Sequence, residues 1–212
     1  MSHIMSNKIS KLTILCLLLL SSCATTTMVE RTVKFNKNKV LSTISAVDST
    51  FIELESLLYV DIKRQNMYLL EKGKILKAFR VSSSYYGTGS KVNSLRTPLG
   101  KHEVYKKIGK DLPINAILKG RVWSGAIANV ITDDIDTDFD HVTSRILWLD
   151  GLEIGKNKGP GVDSRSRYIY IHGTAEEGLI GRPASDGCIR MYNTDVIDLF
   201  DLVNEKVQVW IY

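Results

Sequence analysis

Two residues in this chain could do nucleophilic chemistry together, Cys188 and His172, sixteen positions apart. A thiol attacks only as its thiolate, and an imidazole with an ordinary pKa near ~6.5 is the side chain suited to take that proton at neutral pH. His172 closes the alternating run Arg167-Tyr168-Ile169-Tyr170-Ile171-His172 and is followed by Gly173-Thr174. Cys188 sits in Ser185-Asp186-Gly187-Cys188-Ile189-Arg190-Met191, and Gly178, Gly181 and Pro183 between the two segments mark a loop able to fold back. A glycine at 187 lets backbone N–H groups come close to an oxyanion. Outside the first residues of the chain the other histidines are His102 and His141, flanked by Lys101 and Asp140, and both are expected on the solvated surface.

The cysteines sharpen this reading. The chain opens with Lys8 and Lys11, then an apolar run from Leu12 to Leu20 broken only by Thr13. That run is too short for a bilayer, which takes about 20 residues, and right for the core of an export signal. It stops at Leu20-Ser21-Ser22-Cys23, which resembles a bacterial lipobox and implies cleavage before Cys23 and lipidation of its sulfur. Ala24 rather than Asp follows, which in a Gram-negative cell implies the outer membrane. Residues 1–22 are therefore read as a lipoprotein signal peptide. Cys16 leaves with the signal and Cys23 carries lipid, so Cys188 is the one thiol left in an exported body. A lone cysteine there is either a reactive or bridging thiol or an inert buried one.

A chain of 212 residues with 44% hydrophobic and 24% charged residues is globular and of one-domain length. Its formal charge of +5 falls to about +3 once Lys8 and Lys11 are set aside. No arginine-rich run or nucleic-acid motif accompanies that charge, so no nucleic-acid partner is expected, whereas an anionic polymer remains compatible.

The elements that must carry the pair are short. Residues 23–56 read as a tether ending in one helix, from Val40, Leu41, Ile44, Val47 and Phe51 at helical spacing. Strands are expected at 58–62, 66–71 and 75–82 with a turn at Lys72-Gly73, at 101–108, at 145–150, at 167–172 and at 207–211. Residues 83–100 form a polar loop, 109–140 reads as an irregular insertion or lid, and 194–203 is a helix with a broad apolar face. The sum is a mostly-β domain, a sandwich or open barrel with one or two short helices.

Ile171-His172-Gly173-Thr174, a loop, and Ser185-x-Gly187-Cys188-Ile189-Arg190-Met191 resemble the catalytic signature of the L,D-transpeptidase (YkuD-like) family. The opening hairpin from Val60-Asp61, Thr97-Pro98-Leu99-Gly100 and Ile146-Leu147-Trp148-Leu149-Asp150-Gly151 extend the likeness over residues 57–212. The resemblance implies that Cys188 attacks the carbonyl of the third residue of a peptidoglycan tetrapeptide stem, expelling the terminal D-alanine. The thioester then passes to an acceptor amine, making a 3→3 cross-link or joining a lipoprotein to murein. It further implies that His172 is the base, that the Gly173 carbonyl holds its ring, that Gly187 and Cys188 offer oxyanion N–H groups, and that no metal or organic cofactor is needed. The implied location is the periplasm, anchored to the membrane by lipid.

The family usually carries histidine where this chain has Asp186. Asp186 could orient His172 as a third member, pair with Arg190, or face solvent. Ser185 and Arg190 are retained, and Arg190 could orient a stem carboxylate or brace the loop. Asp133 to Asp140 has acidic spacing like the start of a calcium loop, but Phe139 and Arg145 stand where glycine and glutamate are required, so a solvated acidic loop is expected. Trp123, Trp148 and Trp210 are expected in the core or lining a cleft. A hydrolase on the same residues and a non-catalytic murein-binding lipoprotein are the competing readings.

Overall fold

The computed structural model describes residues 33–212; the signal segment, Cys23 and most of the tether lie outside the described residues. Among them run α1 (Lys37–Val47), a 3-10 turn (Ser49–Glu53), β1 (Ser56–Asp61), β2 (Asn66–Glu71), β3 (Lys74–Arg80), β4 (Gly100–Ile108), β5 (Ala116–Lys119), β6 (Val122–Ile127), β7 (Val142–Gly151), β8 (Tyr170–Thr174), β9 (Ile189–Met191), α2 (Asn193–Leu202) and β10 (Gln208–Ile211). The hydrogen-bonded order is β3-β2-β1-β10-β4-β7-β5-β6, with β8 branching from β7 and β9 pairing with β8. This is a mostly-β domain with two helices.

The strands β1, β2 and β10 read as apolar runs because both of their faces are buried. Leu58 and Val60 of β1, Met67 and Leu69 of β2, and Val209 and Ile211 of β10 enter one core, with Val104, Leu147, Leu149, Ile171, Ile189 and the α2 residues Val196, Leu199 and Phe200. Their alternate neighbours Leu57, Tyr59, Tyr68, Leu70 and Trp210 enter a second core under Val40, Ile44 and Phe51. Side chains of a strand alternate between faces, so a two-sided strand shows no polar beat. Each such buried aliphatic chain contributes roughly 1.5–3 kcal/mol. Asn36 caps α1, its side chain accepting from Lys39 N at 3.0 Å.

Two expectations change. Residues 109–140 are not irregular throughout: Ala116–Lys119 and Val122–Ile127 pair as an antiparallel hairpin joined to β7 at Ile117–Thr143. Every residue of β6 is exposed, so no apolar beat announced it. The strand expected from Arg167 begins only at Tyr170, because Tyr168 has a φ of 57°, outside the extended region.

Candidate active site

His172 lies on β8 between β7 and β9, opposite Ile146 on one side and Arg190 on the other. The β8–β9 pair is parallel, with Ile171 beside Ile189. Parallel neighbours need a crossover of a dozen or more residues. The chain from 175 to 188 supplies it, and this is the physical content of the sixteen-residue spacing. Since Ile171 and Ile189 are in register, alternation sets Cys188 in the row of Tyr170, on the face that also carries His172 and Arg190.

The His172 ring is buried, with Nδ1 2.7 Å from the Gly173 carbonyl. A carbonyl only accepts, so Nδ1 carries the proton and the Nε2 lone pair is left for chemistry. No described residue bonds to that Nε2. Burial pushes the His172 pKa below its ordinary value, against the Asp140 carboxylate and the Gly173 carbonyl, which pull it up. The ring is therefore neutral at neutral pH and can act as a base.

Gly173 has to be glycine for want of space. A Cβ there would lie 2.6 Å from Asn193 Oδ1 and 2.8 Å from Thr143 O. Asn193, buried at the start of α2, ties this corner together. Its Oδ1 accepts from Thr143 and Ser144, both at 2.6 Å, and its Nδ2 donates to Thr174 O at 2.7 Å. Nothing in the sequence marked Asn193 beyond its place ahead of an apolar helix face.

Cys188 is half-buried and rests on backbone. Its Sγ accepts from Tyr170 N at 3.4 Å and donates to Tyr168 O at 3.5 Å; no hydrogen bond joins it to His172. Burial pushes the thiol pKa up to about 12, with the Tyr170 N–H bond and the Arg167 charge acting the other way. The resting thiol is thus protonated. The Gly187 N–H donates to Ser185 Oγ at 3.3 Å, while the Cys188 N–H has no partner among the described residues. Gly187, at φ 120°, occupies backbone space that L side chains rarely adopt.

Ser185 and Arg190 are both fully buried. Ser185 Oγ donates to Cys188 O at 2.6 Å and braces the loop. Arg190 Nη1 pairs with Glu176 at 2.7 Å and Asp140 at 3.2 Å, not with Asp186. Asp186 is exposed and makes no hydrogen bond or ion pair among the described residues, and the His172 Nδ1 is held by Gly173 instead. Its pKa is raised, first by partial burial and then by Asp140.

The acidic segment 133–140 is largely exposed, as expected of a solvated acidic loop, but is tied down at three points. Asp134 pairs with Arg182, Asp140 with Arg190, and Thr137 N donates to Glu176 at 2.8 Å. No three of its carboxylates gather as a metal site among the described residues. Asp136, Asp138, Asp140 and Asp186 instead line an open depression of about 230 Å³ with Tyr85 and Tyr86. Asp140 was invisible to sequence reading, since one carboxylate in an acidic run carries no signal. Positive charges act on Cys188 as well, Arg167 among them. Arg167 donates to Arg96 O at 2.7 Å, and Arg121, on the β5–β6 turn, lies over the rings of Trp148 and Tyr168.

His102 is not on the surface. It is fully buried on β4, with Nδ1 3.0 Å from Gly100 O and Nε2 2.9 Å from Ser164 Oγ. His141 is partly exposed and stacks on Phe139. Of the tryptophans, Trp210 is in the core, Trp148 is half-buried beside Tyr170, and Trp123 is exposed on β6 rather than packed in the core.

A β-domain with a base-competent imidazole on one strand and a thiol just ahead of its parallel neighbour has a known counterpart. Residues 55–211 match the YkuD family, the L,D-transpeptidase catalytic domain, and the chain belongs to that family. The Bacillus subtilis (strain 168) protein YkuD is 35% identical over 65 residues, covering 27% of this chain and 40% of that protein. This chain thus matches well under half the length of that relative. Among solved structures, L,D-transpeptidase 3 from Mycobacterium tuberculosis aligns at 15% identity over 74% of this chain and 61% of its own, with a TM-score of 0.47. An L,D-transpeptidase from Mycobacterium smegmatis aligns at 15% identity over 74% and 58%, with a TM-score of 0.45.

Proposed function

We propose that this chain is a peptidoglycan L,D-transpeptidase working through a thioester on Cys188. The supporting observation is the parallel register of β8 and β9, which sets Cys188 on the face of His172 while the Gly173 carbonyl leaves the imidazole Nε2 free. In this reading the thiol swings from its perch on Tyr170 N–H and Tyr168 C=O toward His172, whose Nε2 takes the proton. Sγ attacks the carbonyl of the third stem residue. The developing oxyanion is received by the Cys188 N–H, with the Gly187 N–H able to join once it leaves Ser185 Oγ. Collapse expels the terminal D-residue, whose amine takes the proton back from His172. An acceptor amine then attacks the thioester, loses its proton to His172 and releases the thiol. Asp140 and Arg190 set the charge around the ring without touching the reacting atoms.

Export and lipid anchoring through Cys23 belong to the same reading, supported by the Leu20-Ser21-Ser22-Cys23 pattern. Such anchoring places the enzyme in the periplasm at the membrane that holds the lipid. The acceptor is a second stem or a murein-attached lipoprotein.

The test is mass spectrometry of muropeptides and of the protein after incubation. Dimers linked 3→3 and a single carbapenem adduct on Cys188 are expected. An unchanged protein mass with unchanged muropeptides overturns the reading, and shortened stems without dimers turn it into a hydrolase.

A further inference from the structure

Arg121 is a cation with no carboxylate. It sits at the turn of the β5–β6 hairpin, its guanidinium 4.6 Å from the ring centroid of Trp148 and 4.9 Å from that of Tyr168. Nη1 donates to the Tyr170 hydroxyl at 3.2 Å. Among the described residues no acidic side chain pairs with it. By contrast, Arg64, Arg165, Arg182 and Arg190 each have an aspartate or glutamate partner. A guanidinium carries five N–H donors in a fixed planar fork, and aromatic stacking fixes its plane while leaving the fork's edge open to a ligand.

The place of this fork matters. Tyr170 donates its backbone N–H to Cys188 Sγ while its hydroxyl holds Arg121, so one residue connects guanidinium and thiol. Tyr168, the second ring under Arg121, supplies the carbonyl to which Sγ donates. Cys188 also packs against the cluster of Leu118, Ile146 and Tyr170, so the hairpin that carries Arg121 forms a wall beside the thiol.

We infer that Arg121 is a carboxylate receptor for the donor stem peptide, held on Trp148, Tyr168 and Tyr170 beside the attacking thiol. This rests on the transpeptidase reading and narrows it. Bidentate Arg–carboxylate contact is strong and geometrically selective. The candidates on a donor stem are the terminal carboxylate of the leaving residue and, where the acyl part carries one, a side-chain carboxylate. The same Arg could serve either.

Binding and reaction are measured separately. In Cys188→Ala protein, which cannot react, calorimetry follows titration with a synthetic tetrapeptide stem and with versions amidated at the terminal or the side-chain carboxyl. One amidation is expected to weaken binding about ten- to hundredfold, the usual worth of a hydrogen bond to a charged group. Which amidation does so names the carboxylate. In Arg121→Gln that preference disappears, and Arg121→Lys restores part of it. Equal binding of all three stems, or a preference that survives in Arg121→Gln, overturns the inference. A loss in Arg121→Gln that falls equally on the amidated stems marks a merely structural role and overturns it too. Acylation of the wild-type protein by the unmodified stem tests the transpeptidase reading independently: its failure with the carboxylate preference intact would remove the reaction and keep the receptor.

Discussion

The niches of His102 and His172 begin alike and end differently. Both rings are buried, and both give Nδ1 to a backbone carbonyl, Gly100 O at 3.0 Å and Gly173 O at 2.7 Å. The difference is at Nε2. In His102 that nitrogen accepts from Ser164 Oγ at 2.9 Å, and both ring nitrogens are spent on structure. In His172 it has no partner among the described residues, and the Cys188 thiol lies on the same face, one position ahead of the next strand. Burial and a fixed tautomer are common to both; what makes His172 the reactive one in the proposed function is an uncommitted lone pair near a thiol.

The largest effects should fall on the reactive niche. Cys188→Ala is expected to abolish carbapenem adduct formation, seen as an unshifted intact mass. His172→Gln should slow acylation by roughly 10²–10⁴-fold, the usual contribution of a positioned base. His102→Gln should stay near wild type in the same assay. Comparable losses in both histidine variants would break the distinction. Because burial lowers the His172 pKa, the wild-type rate should hold as pH falls through ~6.5 and drop only below it. Because burial keeps the resting thiol protonated and His172 takes its proton only during attack, the rate should be flat between pH 8 and 9. A rate rising about tenfold over that unit would mean that thiolate formed in bulk, not His172, drives the attack.

The structural niche should show itself in acid stability, where buried His172 acts in the same direction. His102 is lowered to about 4 by burial, against 6.5 in the unfolded chain. Between those values the unfolded state binds more protons, so stability is full above ~6.5 and declines as pH falls toward 4. The loss is on the order of 3 kcal/mol. Chemical denaturation at pH 7 and 4.5 should show it, and His102→Gln should reduce the difference, leaving the share of His172. An unchanged slope in that variant would assign the acid sensitivity elsewhere.

Gly173→Ala joins the two properties. The new Cβ must displace Asn193 or Thr143, at a cost of about 1–3 kcal/mol of overpacking. It also shifts the carbonyl that holds His172. A lowered Tm together with slowed acylation is expected, whereas a lowered Tm with unchanged acylation would show that the carbonyl does not set the ring. The smallest effect should come from Asp186. Exposed and unpaired, it is expected to leave acylation within about tenfold as Asp186→Asn, and Asp186→His should remain active. An orienting carboxylate would instead cost about 10⁴-fold.

What could be read from the residues alone was whatever depends on near neighbours. The hairpin 66–80, the α2 stripe and the apolar β1 run follow from periodicity and turn residues. Cys188 and His172 follow from residue chemistry and from the one thiol left once the opening residues are read as an export signal. The sequence pointed to no place for Asp140, Arg121, Asn193 or Glu176, because their roles exist only across elements. Arg190 and Asp140 meet over fifty positions of chain, and Arg121 reaches Tyr170 over forty-nine. His102 was misplaced for the same reason: its neighbours Lys101 and Glu103 are polar, but strand alternation turns those two the opposite way, and the ring is buried under a distant loop that carries Ser164. Local pattern determines which groups the chain owns. Only tertiary packing decides which of their hydrogen-bonding atoms are used up and which are left free to react.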